Sequence, residues 1–228
     1  MPHRCMTAVS YEPLEVALQP PVRFSGKLVD RVCIFIDGSN FYHALKDAGL
    51  PTNVDFGKLS ATLTTPARRL VQTFYYNTPL IRPQKGDLDF PARDAAVRAQ
   101  QRFFNALRFI PNLTVKFGRF QKVRQAGIAT TCPACAHSYQ TPPVVSWVEK
   151  GVDVMLASDL LTLAFKNHYD VAILVSSDAD YKHAIEVVKA ETAKTVELHQ
   201  VAGSKAYDLI TACYRPIQPA IIHACLRP

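Results

Sequence analysis

The sequence predicts an α/β fold with a mainly parallel sheet of about five strands and helices on both faces. Three observations carry this. Short, fully apolar runs such as RVCIFI (31–36) and VAILVS (171–176) recur along the chain. Helical patterns separate them, so buried strands alternate with helices. Glycine, proline and asparagine punctuate the junctions.

The elements follow in order. Residues 1–28 contain several prolines and no periodicity, and read as a loosely ordered arm. Residues 31–36 form the first buried strand, because the apolar run is continuous and rich in branched side chains. A helix follows over 40–48, closed by Gly49 and Pro51. DFGKLSATL gives a second short helix, and RLVQTFYYN (69–77) a second strand. Residues 78–92 hold prolines and a glycine and form a loop, and 93–108 form a helix with a basic outer face. LTVKFG is a third strand, and residues 121–148 are an irregular insertion. Helix 152–167, strand 171–176, helix 181–191, strand 195–200 and helix 204–213 complete one domain over 29–213, with a tail at 214–228.

A chain of 228 residues with 48% apolar content is long enough for one substantial core. It has no run of about 18 or more apolar residues and no apolar leader at its N-terminus, so a cytoplasmic location without a membrane span is expected. The net charge is +7. Residues 68–124 are densely basic, and their only acids are Asp87, Asp89 and Asp94. This is either a solvated helix face with its loops or a phosphate-facing surface.

In an open parallel sheet, ligands bind beyond the carboxyl ends of the strands. Asp37 in FIDGSN and Asp178 in LVSSDADY both follow an apolar strand, so both belong at that edge. Either could simply cap the helix after it. Asp153 lies in the first turn of its helix, where the dipole favours a negative charge. At about 100° per residue, however, Asp153 falls among Val152, Leu156, Leu160, Leu163 and Ala164, on the apolar face. A dipole-matching aspartate belongs on the wet face. Asp159 falls on the polar margin beside Lys166, as an outer or solvated residue.

Asp37, Asp153, Asp178 and Asp180 can therefore converge. Four carboxylates about 6 Å apart at an effective dielectric near 20 repel by about 3 kcal/mol per pair. The total, roughly 15 kcal/mol, exceeds a typical domain's stability. Such a cluster needs protonation or a cation. Oxygen ligands without His or Cys suit one or two Mg²⁺ or Mn²⁺ ions, which serve phosphodiester hydrolysis.

Three segments, FIDGSNFYHAL, EKGVDVMLASDLL and VAILVSSDADYKHAIE, resemble the NYN family of PIN-like nucleases, in its LabA-like (DUF88) branch. The resemblance covers roughly residues 30–213. It implies a three-layer α/β/α PIN-like (Rossmann-like) fold and a metal-dependent ribonuclease site acting on single-stranded or structured RNA. It marks Asp37, Asp153, Asp178 and Asp180 as metal-binding acids, and Asn40 as a polar residue that orients a carboxylate or touches a phosphate. Ser39, Ser177, Lys150, Asp159 and Tyr181 are the surrounding candidates. Ser177 stands where many members have glycine.

TCPACAHSY offers Cys132, Cys135 and His137. A Cys-x-x-Cys pair is half a zinc site, and no second close pair exists in the chain. Reduced thiols ordering a loop are the preferred reading, structural zinc the minor one. Tyr181 either stacks on a base or covers the helix start. Trp147 is expected to cover the site, and His43 and His183 are minor candidates for proton transfer. The competing function is a catalytically silent RNA-binding or regulatory adaptor, and assembly with further copies of the chain stays open. A von Willebrand A-type metal site would need serine where Phe41 stands, a HAD phosphatase aspartate where Ser39 stands, and a dinucleotide site a G-x-G-x-x-G that is absent.

Overall fold

The computed structural model describes residues 23–24, 27–203 and 213–227. The elements are β1 (Arg23–Phe24), β2 (Lys27–Leu28), β3 (Arg31–Asp37), α1 (Gly38–Asp47), α2 (Phe56–Thr64), β4 (Arg69–Asn77), α3 (Phe90–Leu107) and β5 (Leu113–Phe117). Then come β6 (Arg119–Gln125), β7 (Ala129–Thr131), β8 (Ser138–Gln140), β9 (Val144–Lys150), α4 (Val152–Phe165) and β10 (Val171–Val175). A 3₁₀ turn (Ala179–Tyr181), α5 (Lys182–Glu191), β11 (Thr195–Val201), β12 (Cys213–Ile217) and α6 (Pro219–Ala224) follow.

Six strands form the central sheet in the order β12-β11-β10-β3-β4-β5, and every pairing is parallel. The chain winds from β3 outward through β4 and β5, then returns to the other side of β3 through β10, β11 and β12. The order therefore reverses between β3 and β10, and the crevice at their carboxyl ends is the ligand position of such sheets.

β3 shows why a continuous apolar run makes the centre of this sheet. Side chains alternate along a strand. Val32, Ile34 and Ile36 enter one core with Phe41, Leu45, Phe56, Leu59, Phe104 and Leu107. Cys33 and Phe35 enter the other, with Leu156, Leu160, Leu163, Ile185 and Val188. Helices α1, α2, α3 and α6 thus cover one face, and α4 and α5 the other. Fully burying each large apolar side chain contributes about 1.5–3 kcal/mol. No described helix is long and apolar enough to cross a membrane.

Three expectations change. The sheet has six strands rather than five, because residues 213–217 pair with β11 as an edge strand and α6 packs Ile222 into the core. The segment expected as a tail completes the fold; Pro216 sits in this edge strand, where a missing N–H is tolerated. The insertion at 121–148 is an ordered ribbon rather than an irregular loop. β6 and β9 pair antiparallel over seven residues each, and the β7–β8 hairpin extends between them. Its alternation is masked in the sequence because neither face enters the core. Thirdly, Arg68 and Lys116, counted among the phosphate-facing cations, are held inside. Arg68 binds Glu197 through two hydrogen bonds of 3.1 and 2.9 Å, and Lys116 binds Asp159 at 2.6 Å. The expected helix at 204–213 and most of the arm at 1–28 lie outside the described residues; within the arm, β1 and β2 pair antiparallel.

Candidate metal centre

The site forms where β3 and β10 end. Asp37 is the last residue of β3 and the N-cap of α1, with its Oδ1 accepting from the Asn40 backbone N–H at 3.0 Å. Capping does not exhaust Asp37, because a carboxylate has two oxygens. The other oxygen, Oδ2, accepts from the Tyr181 hydroxyl at 3.2 Å and faces Ser176 Oγ at 3.4 Å. Asp37 is 4% exposed. Burial pushes its carboxyl up to about 6, against hydrogen bonds from Asn40 and Tyr181 and with the charges of Asp153 and Asp178.

Asp178 follows β10. Its backbone N–H donates to Ser176 Oγ at 3.1 Å, and its Oδ1 caps the 3₁₀ turn by accepting from the Asp180 N–H at 3.0 Å. Asn40 braces the same loop, its Oδ1 accepting from the Ser177 N–H at 2.8 Å. Asn40 thereby ties the first turn of α1 to the loop after β10, the two walls of the crevice. Ser177 in place of glycine leaves this backbone contact intact.

Asp153 comes from α4. Gly151, at φ +94°, turns the chain from β9 into the helix, a conformation that glycine supplies without a Cβ clash. The buried face of α4 is Val152, Leu156, Leu160, Leu163 and Ala164, the arc expected from the sequence. Asp153 points to that side but is exposed, because the first turn of α4 opens onto a cavity at the sheet edge. Its Oδ1 accepts from the Tyr181 hydroxyl at 3.0 Å.

Carboxylate oxygens of Asp37, Asp153 and Asp178 all lie within 4.8 Å of one another. Asp180 does not join this group: its side chain is exposed, and its backbone serves to be capped by Asp178. The two-residue spacing in DAD sends the second carboxylate out of the crevice. The cavity beside the trio measures about 400 Å³ and is also lined by Ser39, Asn40, His43, Lys150 and Ser177. Three hard oxygen donors, one buried and protonation-prone, are a donor set that fits a divalent cation.

Tyr181 is fully buried and bridges two acids, so it offers no face for a base. Burial and the two carboxylates hold its hydroxyl far above the usual tyrosine range, as a permanent donor. Asp159 is no solvated outer residue either. It accepts from Tyr76 at 2.7 Å and from Lys116 at 2.6 Å, under α4. The apolar arc runs past Asp159, because β4 and β5 bring a phenol and an amine beneath it. His183 does not line the cavity, whereas His43 does.

Glu149 was not legible as a site residue. It lines this cavity and a second, aromatic cavity of about 730 Å³. One of its oxygens is shielded from water with no hydrogen-bond partner among the described residues. Its place next to KGVD was the only available signal. Only the ribbon, unseen in the sequence, carries it into the crevice.

At the ribbon's far end the Cys132 sulfur accepts backbone hydrogen bonds from Ala134 and Cys135. Cys135 is exposed, and no second pair of zinc ligands meets them among the described residues.

The NYN domain model matches residues 31–220. The chain belongs to the NYN domain family. A crystal structure of a protein of unknown function from Vibrio parahaemolyticus is similar to this NYN domain, at 18% identity and a TM-score of 0.53. The alignment covers 83% of this chain and 93% of that one, and shows the shared α/β fold. No curated protein matches the chain. The NYN match ends at 220, beyond strand β12, in keeping with the sixth strand of the sheet.

Proposed function

We propose that this NYN domain, of the LabA-like branch, is a Mg²⁺- or Mn²⁺-dependent ribonuclease that hydrolyses RNA phosphodiester bonds, cutting within the strand. The observation that carries this reading is the convergence of three carboxylates from three separate elements at the point where strand order reverses.

Asp37, Asp153 and Asp178 would hold the cation, with Asp180 outside this trio. A bound divalent ion supplies Lewis-acid stabilisation of the phosphate and an activated water. The protein's own groups do the rest. Tyr181 fixes the directions of Asp37 and Asp153 by donating to them. Asn40 and Ser176 hold the loop that carries Asp178. Lys150, which lines the cavity, offers a positive charge to the substrate phosphate.

The second reading is an RNA-binding adaptor without catalysis. One observation favours it: the Tyr181 hydroxyl, within hydrogen-bond distance of both Asp37 and Asp153, already relieves part of the repulsion without a cation. The test is cleavage of a labelled RNA pool with Mg²⁺ or Mn²⁺, with EDTA and Asp153→Asn as controls. Cutting that needs metal and is lost in the variant supports the nuclease. RNA binding without cutting by the wild type selects the adaptor. Cutting that survives Asp153→Asn refutes this acidic centre.

A further inference from the structure

The β6–β9 ribbon lies outside both cores, yet it is anchored at the candidate site. Its register assigns every side chain to a face. Phe120, Lys122 and Arg124 stand directly opposite Glu149, Trp147 and Val145, and opposed residues share a face. The inner pair opens on the site: Glu149 lines the cavity of the acids and the aromatic cavity, and Phe120 lines the latter. The next pair outward is Lys122 and Trp147, with the ammonium 6.0 Å from the ring centre. The third is Arg124 and Val145. One face of the ribbon thus runs outward from the metal-site acids as an aromatic beside Glu149, then an aromatic with a cation, then a second cation beside Val145.

Three features mark this face as built for a ligand. Trp147, the chain's single tryptophan, is 50% exposed although it carries the largest apolar surface of any side chain. Lys122 and Arg124 make no ion pair among the described residues, unlike Arg68 and Lys116. From Arg119 to Val148 the sequence contains no acid at all. An indole beside two cations, with the one acid of these three pairs, Glu149, at the inner end by the candidate metal site, complements a chain that alternates π-faces and phosphates. In a duplex the base faces are stacked inside and out of reach. In a single strand they are free to stack on an aromatic side chain.

We propose that this ribbon face is the docking track for single-stranded RNA, with a base stacked on Trp147 and neighbouring phosphates on Lys122 and Arg124. The track delivers the strand past Glu149 to the acids, and so rests on the reading of those acids as an RNA site. It assigns the substrate as single-stranded.

The test uses the full chain in EDTA, so that no cleavage intervenes. Oligoadenylate and a duplex RNA of equal length are titrated while Trp147 fluorescence is followed. The expected result is quenching by the single strand and little by the duplex. Trp147→Ala, followed by anisotropy of labelled oligoadenylate, should weaken binding about tenfold, and Trp147→Phe should restore most of it. Lys122→Gln with Arg124→Gln should reduce the slope of log affinity against log salt by about 1.4, at about 0.7 per phosphate. An unchanged affinity in Trp147→Ala, or equal quenching by both RNAs, overturns the track. Cutting by a wild type whose fluorescence ignores RNA sinks the track and spares the nuclease. Quenching without cutting does the reverse.

Discussion

The hydroxyl of Tyr181 lies 3.2 Å from Asp37 Oδ2 and 3.0 Å from Asp153 Oδ1, joining two carboxylates that belong to different layers of the fold. A phenol has one proton to donate, so it satisfies one acid fully at any moment. It therefore orients the pair without neutralising it, and a cation has charge left to bind. Tyr181→Phe keeps the packing and removes the donor. Metal affinity should fall about 10–100-fold, as for other residues that orient ligands, with activity regained at high Mn²⁺. Titration of Mn²⁺ against cleavage rate checks this. Wild-type metal affinity in the variant would show the bridge to be idle.

Asp37 carries the largest cost of the cluster, and removing its charge should reveal it. Asn caps a helix as well as Asp does, so Asp37→Asn retains the α1 cap. Without metal the variant should be more stable at neutral pH by about 1–3 kcal/mol, since a carboxyl raised to about 6 is ionised there against its environment. It should also lose the rise in Tm that Mg²⁺ or Mn²⁺ gives the wild type. Thermal melts with EDTA and with each metal provide both readings. A variant less stable than wild type in EDTA would contradict the prediction.

The pH dependence of metal-free stability has two opposed windows. Asp37 is raised above its ordinary 3.8 to about 6, so its contribution is complete below about pH 4 and is lost as pH rises through 6. Glu197 is lowered from 4.5 to about 2, by its hydrogen bond with His199 and then by Arg68. Its contribution is present above about pH 4.5 and is lost as pH falls through 2. These two groups place the metal-free optimum near pH 4–5. Metal should move it upward, because the ion requires ionised Asp37. Melts from pH 3 to 8, with and without Mn²⁺, test the sign of each limb.

Asp159 is close to the site in sequence and separate from it in chemistry. Asp159→Ala leaves the Lys116 amine, 15% exposed, without its carboxylate. The expected loss of stability is about 3 kcal/mol, at the lower end for a broken buried pair because some solvent remains. Metal affinity should be unchanged. Calorimetry with a Mn²⁺ titration separates the two effects, and a weakened metal site would place Asp159 within it after all.

Gly38 lies against the Tyr75 ring, whose Cζ and Oη would overlap an added Cβ. Tyr75 is buried edge-on against Phe56 and Phe103, so a shift of its ring disturbs these contacts. Gly38→Ala should therefore cost about 1–3 kcal/mol by overpacking and tilt the start of α1 away from Asp37. Denaturant unfolding measures the first effect. A neutral substitution would mean that the strand–helix turn is not held by this contact.

The sequence by itself determined the layered fold and the sheet edge where the candidate site lies. RVCIFI and VAILV are apolar on both alternating faces, which only a covered parallel sheet satisfies, and Asp37 and Asp178 stand one step beyond such runs. Asp153 was legible because a carboxylate on an apolar arc breaks helical periodicity. Tertiary structure decided what local patterns do not encode. Whether a second aspartate in DAD turns inward depends on the tight turn after Asp178, and here Asp180 turns out. Tyr181 became a bridge rather than a stacking platform because two layers close over it. Glu149 entered the site through a ribbon whose strands pair across the whole insertion. Strand 213–217 joined the sheet because an exposed edge of β11 accepted it. Periodicity reports which face of an element is buried; it carries no information about which distant element arrives to bury it.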